Sequence, residues 1–334
     1  SSTIEFGISG SFPPFSLQAD KDWVPFPHSN AVEPGSILDF SSIHGSDAPA
    51  GKYGHIITGE DGHYVFEKDP AKRVRLVGAN LCFTANFVEK SVADQIAATF
   101  KRMGYNTVRF HHTDVMMMKG DWDSWNAGKQ AVIDPAKLDK LDYLFAAMKK
   151  AGMYVTFDLY AMGCYGRIEG VEKPVYGEMK ALVPIHQPAF DAWAKNALEW
   201  MNHVNPYTGI AWKDDPAIVA ICPLNEDSIV SVWGGAKDKY EAKFADWKKG
   251  KESTGRTDKQ LLAQFLTELK VESNKKIEKF LRDNGVRPLL SGSNWWDTQA
   301  QAFERDSLDV VDNHQYADHP DNFRLPSRYN QKST

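Results

Sequence analysis

The chain has 334 residues, room for one large domain or two small ones, with 42% hydrophobic and 25% charged residues, as in ordinary soluble globular proteins. A formal net charge of −5 and a pI near 6.1 give no basis for a nucleic-acid or membrane partner, and no apolar stretch approaches a membrane span. Cys82, Cys164 and Cys222 are too few and too dispersed for a disulfide framework or a zinc motif, and two of them fall in apolar runs as buried thiols do.

Residues 1–50 are rich in Pro, Ser, Gly and aromatics without a sustained period and read as an irregular N-terminal arm. The first residue is Ser1 rather than Met, so removal of an upstream segment is expected. Gly54–Glu67 gives two short alternating runs around Glu60-Asp61-Gly62, a β-hairpin signal. From Arg75 onward strands alternate with amphipathic helices, which divides the chain into 1–74, arm and hairpin, and 75–334, one catalytic-type domain. Strand one is expected at 75–83, a helix at 91–103, and strand two at 106–112. A helix at 135–151 follows, with Asp134 as N-cap and Pro135 at its first position. Strand three is read at 153–160, a helix at 188–203, and strand four at 218–225. A long charged helix at 258–284, strand five at 287–292 and strand six at 308–316 complete the pattern.

Strand and helix alternating without hairpins implies an α/β fold with a parallel sheet. No glycine-rich phosphate loop follows strand one, which weakens a nucleotide-binding doubly wound sheet. Polar residues recur instead at strand ends: Asn80, Arg109 with His111 and His112, Asp158 and Tyr160, Asn225 and Glu226, Ser293 and Asn294, His314 and Tyr316. Strand ends that converge on one pocket fit a (β/α)8 TIM barrel. Six strands do not close one, so strands seven and eight are expected to lie outside this sequence.

Asn225-Glu226 ends an apolar run, where a carboxylate must be protonated, hydrogen-bonded or used. Glycoside hydrolysis needs two carboxylates, one to protonate the leaving oxygen and one to attack carbon or activate water. Glu226 suits the acid if burial against Trp295 or Trp296 raises its pKa, and Asn225 suits a sugar 2-hydroxyl. The plain alternative is a Glu226 that caps the next segment or pairs with a surface lysine.

Asn-Glu ending strand four, Arg109 in NTVRFHH and His314-Gln315-Tyr316 in DNHQYADHP together resemble the clan A glycoside hydrolases, family 5 and its relatives. Narrower stretches, GKYGHIITGEDGHYVFE and HVNPYTGIAWKDDPAIVAICPLNEDS among them, resemble large bacterial cellulase-like members, over roughly residues 35 to 330. The resemblance implies Glu226 as general acid/base and Asn225 as the 2-hydroxyl partner. It implies Arg109 beneath the pocket helping to hold the nucleophile ionised, and His314 and Tyr316 orienting nucleophile and substrate. Strand three of family 5 usually ends Asp-x-His; here it ends Asp158-Leu159-Tyr160, so His112 is expected to take that His role, with Tyr160 as a further substrate contact. The nucleophilic Glu belongs to strand seven and is expected beyond residue 334.

His111, His112, Asp114, His314, Asp318 and His319 read alternatively as a metal cluster. Adjacent histidines on a strand point to opposite faces, which counts against that cluster, so neither metal nor cofactor is expected. The chain is tryptophan-rich, with ten, and Trp295, Trp296, Trp122, Trp125 and Trp233 are candidates for stacking on sugar rings, against ordinary packing. Met116-Met117-Met118 reads as loop packing, and Tyr240–Glu252 as a solvated helix face. The expected function is a retaining glycoside hydrolase cleaving a β-linked glycan or glycoside, with an oligosaccharide or polysaccharide substrate and an exported location. A non-catalytic carbohydrate-binding barrel fragment and a metal-dependent barrel hydrolase are the alternatives.

Overall fold

The computed structural model describes residues 21–22, 32–43, 47–120, 132–163, 165–172, 178–227, 236–251, 255–295 and 299–314. Contacts divide the chain into two units, Ser1–Ala31 and Val32–Thr334. Of the first, only a turn at Lys21 and Asp22 is described; every described strand and helix belongs to the second.

The hairpin forms where expected, as β1 (Ile56–Thr58) and β2 (Tyr64–Phe66), and an unforeseen β3 (Asp69–Arg73) adds a third antiparallel strand. The second sheet is parallel, in the order β4 (Gly78–Cys82), β5 (Thr107–His111), β6 (Tyr154–Asp158), β7 (Ile218–Cys222) and β8 (Leu289–Leu290). Helices α1 (Lys90–Arg102), α2 (Thr113–Met116), α3 (Pro135–Lys150), α4 (Met179–Leu182) and α5 (Gln187–Met201) occupy the crossovers up to β7. Helices α6 (Lys237–Lys248) and α7 (Asp258–Asp283) precede β8, and α8 (Gln299–Arg305) follows it. Local chemistry sets these boundaries. Asp134 accepts the Ala136 N–H at 2.9 Å with Pro135 behind it, and Thr257 and Gln260 form a capping box at the start of α7. Gly104 and Gly152, at φ of 79° and 89°, turn the chain from α1 and α3 into the next strand, a conformation that a side chain would oppose.

Sheet register sorts the strand residues into two faces. Arg109, Thr156, Ala220 and Leu289 lie opposite one another across β5 to β8. The alternate residues, Val108, Phe110, Val155, Phe157, Val219 and Ile221, are buried in the core with Leu144, Phe145, Trp193 and Trp200. Trp212 fills the middle of this core, 4.8 Å from Phe145 and 5.4 Å from Trp200 between ring centroids. Among the described residues Trp193, Trp200 and Trp212 are thus buried packing residues, and Trp247 packs against the same core.

The hairpin packs at the N-terminal ends of the strands: Phe66 lies 6.1 Å from Tyr154, and the Tyr154 hydroxyl accepts the Gly51 N–H. Tyr64 reaches a cavity of about 140 Å³ on the inner face of the sheet, lined also by Arg109, Asp158, Cys222, Ser291 and Asp312.

Strand six is the main departure from expectation. Residues 308–314 form no strand, and 315–316 lie outside the described residues. The segment still runs beside β8: the Asp309 and Val310 N–H groups both reach the Leu290 carbonyl, and the His314 N–H reaches that of Asn294. No ladder forms with β8, where the Leu290 N–H, the donor on that side, is taken by Asp309 Oδ2 at 2.7 Å; on the β7 side Asp227 Oδ1 accepts the Ser293 N–H at 3.0 Å past the two residues of β8.

Candidate active site

Four non-glycine residues adopt left-handed backbone among the described residues: Phe83, His112, Glu226 and Ser293, with φ between 48° and 55°. Each follows the C-terminal end of a parallel strand, β4, β5, β7 and β8 respectively. Such conformations cost of order 1–3 kcal/mol apiece and persist where surrounding contacts over-determine them. Here they mark one end of the sheet.

Arg109 is the centre of that end. Its Nη2 donates to Asp158 Oδ1 and to Asn225 Oδ1, both at 2.7 Å, and its Nη1 faces His314 Nε2 at 2.9 Å. The planar fork lets one cation hold groups from β6, the β7 turn and the 308–314 segment together. Asp158 is wholly buried and its other oxygen is hydrogen-bonded to His111 Nδ1. Burial alone would raise the Asp158 carboxyl, but Arg109 and His111 outweigh it and hold it below its ordinary value.

Glu226 sits on its left-handed turn with its N–H donated to Asn294 Oδ1 at 2.7 Å and its Oε1 2.8 Å from His314 Nδ1. The sequence-based expectation of a raised pKa is not met. Burial pushes the carboxyl up, but the His314 hydrogen bond, with Lys180 and His111 further off, brings it below its ordinary value. Trp296, one of the two walls expected to raise it, lies outside the described residues. Trp295 is half-buried, and its carbonyl accepts from Gln301 Nε2.

The two neighbouring histidines have different partners. His111, not His112, engages the Arg109–Asp158 pair. His112 leaves the strand at φ 55°, so the alternation of faces ends with His111 and the two rings lie 3.8 Å apart between centroids. His112 stacks flat on Phe83 at 4.2 Å, and burial, with His111 beside it, pushes its pKa down to about 4. Tyr160 is buried with its ring 5.5 Å from Tyr165, and its carbonyl accepts the Asn225 N–H at 2.8 Å. Tyr316, Trp122, Trp125 and Trp233 lie outside the described residues.

Members of the suspected metal cluster have other partners. Asp114 Oδ2 accepts three backbone N–H groups, from Ala161, Met162 and Gly163 at 2.7–3.0 Å, and so fixes the loop after β6. Among the described residues no three His, Cys, Asp or Glu side chains are grouped to hold a metal ion; Asp318 and His319 are outside them. Asn294, which sequence reasoning noted only as a polar strand end, is fully buried and touches Glu226, Asn225, Asp312 and His314. Behind it, Asp227 is paired with the buried Lys270 of α7.

No protein-family model and no curated protein matches this chain. Among solved structures it is similar to the endo-1,4-beta-mannanase from Rhizomucor miehei, at 15% identity and a TM-score of 0.53, over 79% of this chain and 72% of that one. It is also similar to a glycoside hydrolase family 5 mannosidase from Rhizomucor miehei in complex with mannosyl-fructose, at 12% identity and a TM-score of 0.50. That alignment covers 81% of this chain and 63% of the mannosidase, under two thirds of its length. At such identity the likeness is one of fold: β4–β8 and their helices are built as the sheet of a (β/α)8 barrel, not closed among the described residues.

Proposed function

We propose that this chain carries the acid/base half of a retaining clan A glycoside hydrolase site for β-linked glycans, with Glu226 as the general acid/base. The observation that carries the proposal is Glu226 held against His314 at 2.8 Å, on a strained turn past β7, beside an Asn225 fixed by Arg109. In the first step, protonated Glu226 gives its proton to the glycosidic oxygen as the C1–O bond breaks and a second carboxylate bonds to the anomeric carbon. In the second step, Glu226 takes a proton from water as that water attacks C1 and releases the carboxylate. The second carboxylate is proposed to lie outside the described residues, about 5–5.5 Å from Glu226.

A lowered Glu226 pKa belongs to the site without that neighbour. A carboxylate placed beside it, and a substrate excluding water, both push the pKa up towards the range an acid needs. With its oxygen committed to Arg109, Asn225 offers a ligand only its amide hydrogens, which suits the 2-hydroxyl oxygen. Trp295, Trp296 and Tyr316 are proposed as sugar-facing aromatic groups. The similar solved proteins are a mannanase and a mannosidase, so β-mannosides are the first substrates to try.

The test is Glu226→Gln in the protein. Cleavage of β-mannosides and β-glucosides with poor leaving groups should fall by about 10²–10⁴, the usual general-acid contribution, while formation of the covalent intermediate from activated aryl glycosides is nearly unchanged. Equal losses on both substrate classes, or no effect on either, would refute the assignment.

A further inference from the structure

Asn294 has only one orientation that satisfies its neighbours. Its Oδ1 accepts the Glu226 N–H at 2.7 Å, a group that can only donate. Its Nδ2 therefore faces the other side, 2.9 Å from Asp312 Oδ2, 3.2 Å from His314 Nε2, 3.4 Å from Asn225 Oδ1 and 3.6 Å from Cys222 Sγ. Arg109 Nη1 approaches the same His314 Nε2 at 2.9 Å, and a guanidinium has no acceptor. Two donor-only groups converge on one ring nitrogen, so Nε2 presents its lone pair. The ring proton is then on Nδ1, which donates to Glu226 Oε1. The Asn294 carbonyl also accepts the His314 backbone N–H at 3.0 Å, so one residue grips both members of the pair.

We propose that Asn294 is the positioning residue of this site: together with Arg109 it locks His314 in the Nδ1–H tautomer and thereby leaves Oε2 as the only oxygen of Glu226 that can carry a transferable proton. With its lone pair replaced by a proton, Nδ1 cannot accept from the carboxyl, so Oε1 stays an acceptor whether Glu226 is ionised or not. The charged and titratable groups facing the pair are Arg109 and His111 from β5, His112 just past it, Asp158 from β6, Lys180 from α4, and Asp312 on the segment of His314 itself. The catalytic meaning of Oε2 rests on the reaction proposed above; the tautomer does not.

The test is 15N NMR of histidine-labelled protein at neutral pH, with His314 identified by the signal lost in His314→Gln. In the unsubstituted protein Nδ1 should carry a proton and Nε2 none. The double variant Asn294→Asp with Asp312→Asn keeps the net charge, the contact between positions 294 and 312, and an acceptor for the Glu226 N–H. It turns an acceptor towards His314 Nε2 and leaves Arg109 as the one donor there, so Nε2 should gain a proton as the Arg109 contact yields. The single Asn294→Asp should do the same, and either variant serves once its amide spectrum shows it folded. A merely structural role would leave the ring unchanged, because every backbone bond is still made. An Nε2 proton in the unsubstituted protein, or an unchanged ring in a folded variant, overturns the proposal. The spectra need no turnover, so failure here leaves the proposed reaction standing, and failure of the reaction leaves the tautomer standing.

Discussion

The buried pair behind the site gives the sharpest stability prediction. Lys270 and Asp227 have side chains 1% and 3% exposed and are in direct contact; Lys270 also donates to Asn274 at 2.8 Å, and Asp227 accepts the Ser293 N–H at 3.0 Å. Removing one member of such a pair typically costs about 3–5 kcal/mol, because the other is left as an uncompensated buried charge. Each member here keeps one neutral partner, so about 3 kcal/mol is expected for Lys270→Met and for Asp227→Asn. The double variant should lie nearer to the unsubstituted protein than either single one, since Met fills the lysine volume and Asn still accepts the Ser293 N–H. Urea unfolding at pH 7 reads this directly. With a slope of about 3 kcal/mol per molar, each single change lowers the midpoint by roughly 1 M. A double variant whose loss equals the sum of the singles would refute the reasoning, as would singles costing under about 1 kcal/mol.

Two carboxylates should show opposite pH behaviour. Asp158, held below the ordinary value of 3.8 despite burial, contributes stability that is complete above that value and is lost as pH falls through its lower folded value. The deficit of Asp158→Asn, about 3 kcal/mol at pH 7 with Arg109 left unpaired, should therefore shrink towards pH 2 in acid-unfolding curves, and a constant deficit would contradict the ion pair. Asp114 is raised by burial against its three backbone N–H donors, so its contribution is complete below 3.8 and is lost as pH rises through the folded value. Asp114→Asn should accordingly raise the urea midpoint at pH 7 relative to its effect at pH 3; equal effects at both would show that the carboxyl is not penalised by burial.

What was legible in the sequence was what strand periodicity and termination carry. The apolar run into Asn225-Glu226 placed both residues past a buried strand, and the run through Arg109 placed it near the end of strand two, because alternation acts over a few neighbouring residues. What was not legible depended on the chain leaving those regularities. His112 adopts φ 55° with neither glycine nor asparagine to announce it, so alternation of faces could not place the two neighbouring rings. The strand read at 308–316 is not formed in its described part, where Asp309 spends its carboxylate on Leu290 N–H and on Arg282. Neither partner can be paired with Asp309 from sequence spacing.

Asn294 was hidden for the same kind of reason, and its case shows how the site is assembled. Its side chain meets Glu226 across 68 positions, where Ser293 and Glu226 both turn left-handed and Asp227 accepts the Ser293 N–H. Strain at two adjacent strand ends is thus held by a buried charge from α7 and read out as the direction of one amide. That amide, with Arg109, leaves His314 a single way to face Glu226. The acid/base candidate visible in the sequence is defined by its strand; its protonation is defined by residues that only the folded ends of β5, β7 and β8 bring together.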